Sequence, residues 1–111
     1  MSYVENVRPR LRVPASAAPG EVVEIRTLLS HPMESGHRMD AEGRPIPRLI
    51  VQTMVATFNG AEVFRADWGP GVAANPYQSF MLRIEAPGDL EVTWSDEAGH
   101  VWRDGARIEV A

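Results

Sequence analysis

The sequence contains no cysteine. A disulfide scaffold, a zinc ribbon, an iron–sulfur site and a thiol nucleophile are therefore excluded from this chain. Long uninterrupted runs are scarce too. Nine prolines and nine glycines punctuate 111 residues, and the longest stretch free of both is Arg48 to Asn59. A long-helix bundle, a coiled coil or a Rossmann unit needs longer runs. The longest uncharged segments, Leu49–Ala61 and Trp68–Leu82, are too short for a membrane helix, and Pro70 and Pro76 break the second. The first 20 residues hold no continuous apolar stretch of the signal-peptide kind. That points to the cytoplasm, with a mature chain or export beside a partner that carries the signal as the alternatives.

Lysine is missing as well: all 11 basic residues are arginine, against 15 acidic ones, for a formal charge of −4. The balance is uneven, because residues 1–48 hold seven arginines and six acids while residues 49–111 hold four and nine. The one basic cluster along the sequence is Val7-Arg8-Pro9-Arg10-Leu11-Arg12. Its alternation fits an edge strand with a solvated face, and no basic patch of the nucleic-acid-binding kind is evident.

What is present has the period of strands. Glu21–Leu29 alternates, with Val23, Ile25, Thr27 and Leu29 on one face. Leu49–Phe58 is rich in β-branched residues, which fit a pleated surface better than a helix. It places Leu49, Val51 and Val55 on one side and Ile50, Met54 and Phe58 on the other, so a central strand covered on both faces is expected. Asn59-Gly60 is the strongest hairpin signal, since both residues tolerate positive φ. Glu62–Trp68 returns. Tyr77–Glu85 points Phe80, Leu82 and Ile84 inward, Pro87-Gly88-Asp89 turns the chain, and Leu90, Val92 and Trp94 point inward from the next strand. A second hairpin closes at Asp96–Gly99. The last strands are Val101–Arg103 and Ile108–Val110, with a bulge or break expected at Gly105. About seven short antiparallel strands in one domain, residues 1–111, predict an all-β, immunoglobulin-like β-sandwich without a disulfide.

Ser30–Arg48 does not fit this rhythm. Its 19 aperiodic residues are too many for an ordinary sandwich connection, and two His, two Met and the prolines flanking Ile46 are not linker composition. An ordered, functional loop is expected. His31, His37 and Asp40, with Met33 and Met39 nearby, offer imidazole, carboxylate and thioether ligands, so one reading is a small metal-binding protein. The fixed ligand spacing of known sites is absent, however. Ser30, His31 and Asp40 form a Ser/His/Asp inventory, but neighbours on a strand point to opposite faces. No nucleophile elbow, phosphate loop or paired-carboxylate motif appears. Ser30 is expected to end its strand, and Pro32 to hold His31 extended. Glu34, Arg38, Asp40, Glu42 and Arg44 are expected to form a local ion-pair lattice. A second unusual loop runs through Trp68-Gly69-Pro70-Gly71 and Ala74-Asn75-Pro76-Tyr77. Trp68, Val72 and Tyr77 there suggest an apolar recognition surface, and hence a stand-alone module binding a small ligand or carbohydrate.

These loops carry a family resemblance. Leu29-Ser30-His31-Pro32-Met33-Glu34-Ser35-Gly36, followed by Arg38, Asp40, Gly43 and Ile46-Pro47, resembles the signature loop of the SoxZ family, with Ser35 where Thr is more usual. Asn59-Gly60, Trp68-Gly69-Pro70-Gly71-Val72-Ala73-Ala74-Asn75-Pro76 and Gly88-Asp89…Val92-Thr93-Trp94…Asp96…Gly99 match further segments of that family. The resemblance spans about Val22 to Val110. It implies the non-catalytic Z subunit of a SoxYZ sulfur-carrier complex of bacterial thiosulfate oxidation. It implies a tight heterodimer with a SoxY chain that holds sulfur intermediates on a cysteine near its C-terminus. It also implies transient contacts with other Sox enzymes, a periplasmic address reached with the partner, and no cofactor, nucleic acid or membrane. The partner-binding candidates are His31, Pro32, Met33, Glu34, Gly36, Arg38, Asp40, Ile46 and Pro47 in the first loop. In the second they are Trp68, Gly69, Pro70, Asn75, Pro76 and Tyr77.

Overall fold

The computed structural model describes residues 7–111; residues 1–6, where the stretch read for a signal peptide begins, lie outside the described residues. Eight strands form in chain order: β1 (Arg8–Arg12), β2 (Ser16–Ala17), β3 (Glu21–Ser30), β4 (Val51–Phe58), β5 (Ala61–Asp67), β6 (Tyr77–Ile84), β7 (Gly88–Asp96) and β8 (Val101–Val110). They make two sheets, a three-stranded one in the order β1-β3-β6 and a five-stranded one in the order β2-β8-β7-β4-β5. The expected all-β sandwich is the fold. One pairing departs from the all-antiparallel expectation: the two-residue strand β2 runs parallel to β8.

Alternation explains the core. Val23, Ile25, Thr27 and Leu29 of β3, Phe80, Leu82 and Ile84 of β6, and Leu90, Val92 and Trp94 of β7 are all buried. They meet between the sheets, where removing their apolar surface from water supplies most of the stabilisation. β1 is an edge strand, as its alternation suggested, and it pairs with β3 from Arg8 opposite Ser30 to Arg12 opposite Arg26. The Asn59-Gly60 turn forms with φ of 51° and 84°, the positive pair that matches strand twist in a tight hairpin.

Strand β4 differs from expectation on two points. It is central, between β7 and β5, but this chain covers only one of its faces. Met54 and Ala56 are fully buried, whereas Thr53, Val55 and Thr57 stand half-buried on the outer face. The register against β7 slips between Val51 and Thr53, so Gln52 is an extra residue. This bulge lets Val51 and Met54 both turn inward, which a strict two-residue period forbids. At Gly105 the expected bulge or break does not occur. β8 runs unbroken with Gly105 opposite Glu91, and a Cβ there would approach the Leu90 carbonyl oxygen to 3.1 Å. The glycine serves close backbone packing in a regular ladder.

Candidate functional site

The long connection between β3 and β4 crosses from the small sheet to the large one, and its geometry begins at His31. This imidazole is buried, and its Nδ1 accepts a hydrogen bond from the Met33 N–H at 2.8 Å. Its backbone N–H donates to Asn75 Oδ1 at 3.0 Å, and its carbonyl accepts the Asn75 N–H at 2.7 Å. The Leu29 N–H donates to the Pro76 carbonyl at 3.1 Å just below. His31 and Asn75 thus clamp together the two loops that the sequence singled out. Asn75 reaches this position with φ of 54°, a left-handed conformation asparagine tolerates.

Met33 also has positive φ, 50°, which is costly for a long side chain. Burial in the core compensates, and the Val51 N–H lies 3.4 Å from its sulfur. Past it, Glu34 pairs with Leu49 through both backbone bonds, at 2.9 and 2.7 Å, drawing the ends of the loop together. At Gly36, φ is 89° and an added Cβ would come within 3.1 Å of Arg48 Cβ. Between these points Arg38 to Ile46 folds back on itself. The Ile46 N–H donates to the Arg38 carbonyl, and Asp40 Oδ1 accepts the N–H groups of Glu42 and Arg44, each at 2.9 Å. The loop is internally hydrogen-bonded along its length, and so is ordered as expected.

A third segment joins this end of the sandwich. The turn after β7 is held by Asp96, whose Oδ1 accepts the Ala98 and His100 N–H groups. Asp96 Oδ2 lies 2.8 Å from His100 Nδ1. Glu97 Oε1 accepts the Ile50 N–H, and the Arg48 guanidinium lies 3.2 Å from the Glu97 carboxylate. The Trp102 ring packs near both imidazoles, 5.6 Å from His31 and 5.9 Å from His100, centroid to centroid. Burial lowers the His31 pKa below the ordinary 6.5; nearby Asp96 raises it and His100 lowers it further. The Arg38 hydrogen bond to Glu34 lowers the Glu34 pKa, against a smaller opposing effect of burial.

Several expectations change against this geometry. His31, His37 and Asp40 do not converge: His31 faces the core, His37 is exposed, and Asp40 is engaged with loop amides. No group of three or more His, Cys, Asp or Glu placed to hold a metal ion occurs among the described residues. Ser30 ends β3 as expected, one residue from a His31 turned inward. The ion-pair lattice reduces to the Glu34–Arg38 pair, because Asp40 binds amides instead of guanidinium groups. Trp68, Val72 and Tyr77 do not make one apolar surface. Trp68 and Val72 pack partly buried against the core, while Tyr77 projects from the outer face of the small sheet. Among the other candidates, Pro76 is buried, Ile46 is half-buried, and Pro32, Pro47, Gly69 and Pro70 are exposed.

One feature escaped linear reading. The outer face of the small sheet gathers Arg8, Arg10 and Arg12 of β1, Arg26 of β3 and Arg83 of β6. The sequence showed the β1 arginines as a cluster, and strand pairing adds Arg26 and Arg83 from two distant segments to complete the basic surface. Cross-strand register is the signal that would have shown it.

The fold is a β-sandwich similar in architecture to solved structures of a sulfur carrier protein and of superoxide reductases. Superoxide reductase (neelaredoxin) from Ignicoccus hospitalis is 16% identical, with a TM-score of 0.74 over 100% of this chain and 88% of that one. The sulfur carrier protein SoxY from Chlorobium limicola f thiosulfatophilum is also 16% identical, with a TM-score of 0.66 over 93% of this chain and 79% of that one. A putative superoxide reductase from Thermotoga maritima, 17% identical, covers 93% of this chain and 85% of its own at a TM-score of 0.65. At such identities the likeness shows shared architecture alone. No curated protein sequence is similar enough to count as a relative. The family model for sulphur oxidation protein SoxZ matches residues 11–107, and the chain belongs to that family.

Proposed function

We propose that this chain is the non-catalytic half of a sulfur-carrier heterodimer. It pairs with a SoxY-like chain whose cysteine holds covalently bound sulfur intermediates during thiosulfate oxidation, in the periplasm, after export with that partner. The observation that carries the reading is the SoxZ match across residues 11–107. The clamped loops support it, since they offer a stiff, shaped end and ordering costs little where the loop is already ordered. The absence of cysteine fits as well: a thiol beside a partner's persulfide-type cargo would capture it by exchange.

Loops 30–47 and 69–77 contact the partner chain in this proposal. Co-expression with a chain ending in a Gly-rich, cysteine-containing tail tests it. The expected result is a single heterodimer peak on size exclusion at micromolar concentration. Separate elution of the two chains rejects the reading.

A further inference from the structure

The outer face of the three-stranded sheet has a composition that a merely solvated face does not need. Its outward positions are Arg8, Arg10 and Arg12 on β1, Val22, Glu24, Arg26, Leu28 and Ser30 on β3, and Tyr77, Ser79, Met81 and Arg83 on β6. Five arginines meet one glutamate here, in a chain whose formal charge is −4. Arg12 stands directly opposite Arg26, and the next row sets Arg10, Leu28 and Tyr77 side by side. Like charges directly opposite on neighbouring strands destabilise a sheet. Glu24 relieves Arg26 with a 2.7 Å ion pair, but Arg10 and Arg12 have no carboxylate partner among the described residues. These side chains surround an open depression of about 360 Å³, lined by Arg10, Arg12, Arg26, Leu28 and Tyr77.

The same face leaves apolar side chains in water. Tyr77 is 58% exposed, Met81 61% and Val22 44%, which is half of the exposed large hydrophobic residues of the described chain. Arginine, tyrosine and methionine are the types enriched where proteins meet, and lysine, absent here, is depleted. Arginine is also the cation that forms planar, two-pronged hydrogen bonds with carboxylates.

We propose that this face docks an acidic surface of a second protein, with carboxylates meeting Arg10, Arg12 and Arg26 and apolar groups covering Leu28, Tyr77 and Met81. The occupant is separate from the partner chain contacted by the loops, and the proposal does not depend on that pairing. A nucleic acid fits less well: one tyrosine is a poor stacking platform, and the rest of the chain is acidic. The exposed apolar groups favour an occupant with its own apolar surface over a bare inorganic anion.

The test uses the full chain and a synthetic extended peptide of alternating glutamate and leucine, followed by amide chemical shifts. Shifts confined to β1, β3 and β6, weakening as salt rises, are expected. Reversing Arg12 and Arg26 together (R12E/R26E) should cut the affinity at least tenfold. The control R103E/R107E, which makes the same charge change on β8, should leave it within twofold. Equal losses in both double variants, shifts centred outside the small sheet, or tighter binding of an oligonucleotide or an anionic phosphatidylserine vesicle would each overturn the proposal. Circular dichroism of both variants confirms that they fold; should R12E/R26E not fold, Tyr77→Ser replaces it and must weaken binding.

Discussion

His31 shows how one side chain ties sequence to structure. It follows the last residue of β3, turns into the core, and holds Met33 with its Nδ1 and Asn75 with its backbone. Accepting the Met33 N–H requires an unprotonated Nδ1, and burial keeps the ring neutral. Its folded pKa is depressed below the ordinary value of 6.5, so its neutral form favours the fold. That contribution is complete above the unfolded pKa and is lost as pH falls through about 6.5 toward the lower folded value. Asp96, which favours the charged ring, limits the loss, and His100 opposes that effect. Urea midpoints should therefore fall as pH drops below neutrality, and His31→Asn should flatten that dependence. An unchanged slope in the variant would place the titration elsewhere. Gly88 makes a second prediction at this scale. A Cβ there would lie 2.5 Å from the Asn59 amide and 2.6 Å from Phe58 Cζ. Gly88→Ala should cost about 1–3 kcal/mol by overpacking, read from chemical denaturation.

Among the elements, the β4–β5 hairpin does more than reverse the chain. Asn59 Oδ1 accepts the Asp89 N–H at 2.9 Å, its backbone N–H donates to the Asp89 carbonyl at 3.0 Å, and its Nδ2 reaches the Pro87 carbonyl. The turn residue thereby pins the start of β7. Asn59→Ala loses these side-chain bonds and the tolerance of positive φ, and should lower stability by about 1–2 kcal/mol in urea unfolding. Glycine at that position would restore the φ tolerance but not the bonds, and should fall between the two. Elements with a clean period were legible from sequence: β3, β6 and β7 present the inward residues that alternation assigned. Strand β4 was half legible. Its bulge depends on pairing with β7, and no property of Gln52 in isolation announces an extra residue. The loop at His31 was legible as unusual, and its link to Asn75 was not, because the two are 44 positions apart and meet only once β3 and β6 pair.

For the whole molecule, the dimensions of 57 × 24 × 19 Å describe an elongated, narrow body with much surface for its core. The outer face of β4 remains half-exposed at Thr53, Val55 and Thr57, so the fold alone leaves apolar area unburied. Partner binding should raise stability by mass action. On the carrier reading, a saturating SoxY-like chain at about 100 times its Kd adds about 2.7 kcal/mol, raising the melting temperature by several degrees in calorimetry. No shift at that excess would argue against a native heterodimer. The basic sheet face has a consequence of a different kind. With five arginines and one glutamate at its outward positions, it leaves six arginines and 14 acids to the rest of the chain, so positive and negative charge are segregated. Such a molecule is an electric dipole whose orientation in solution is not random near a charged body. An acidic protein approaching it would turn it basic face first, and the encounter rate would rise as ionic strength falls.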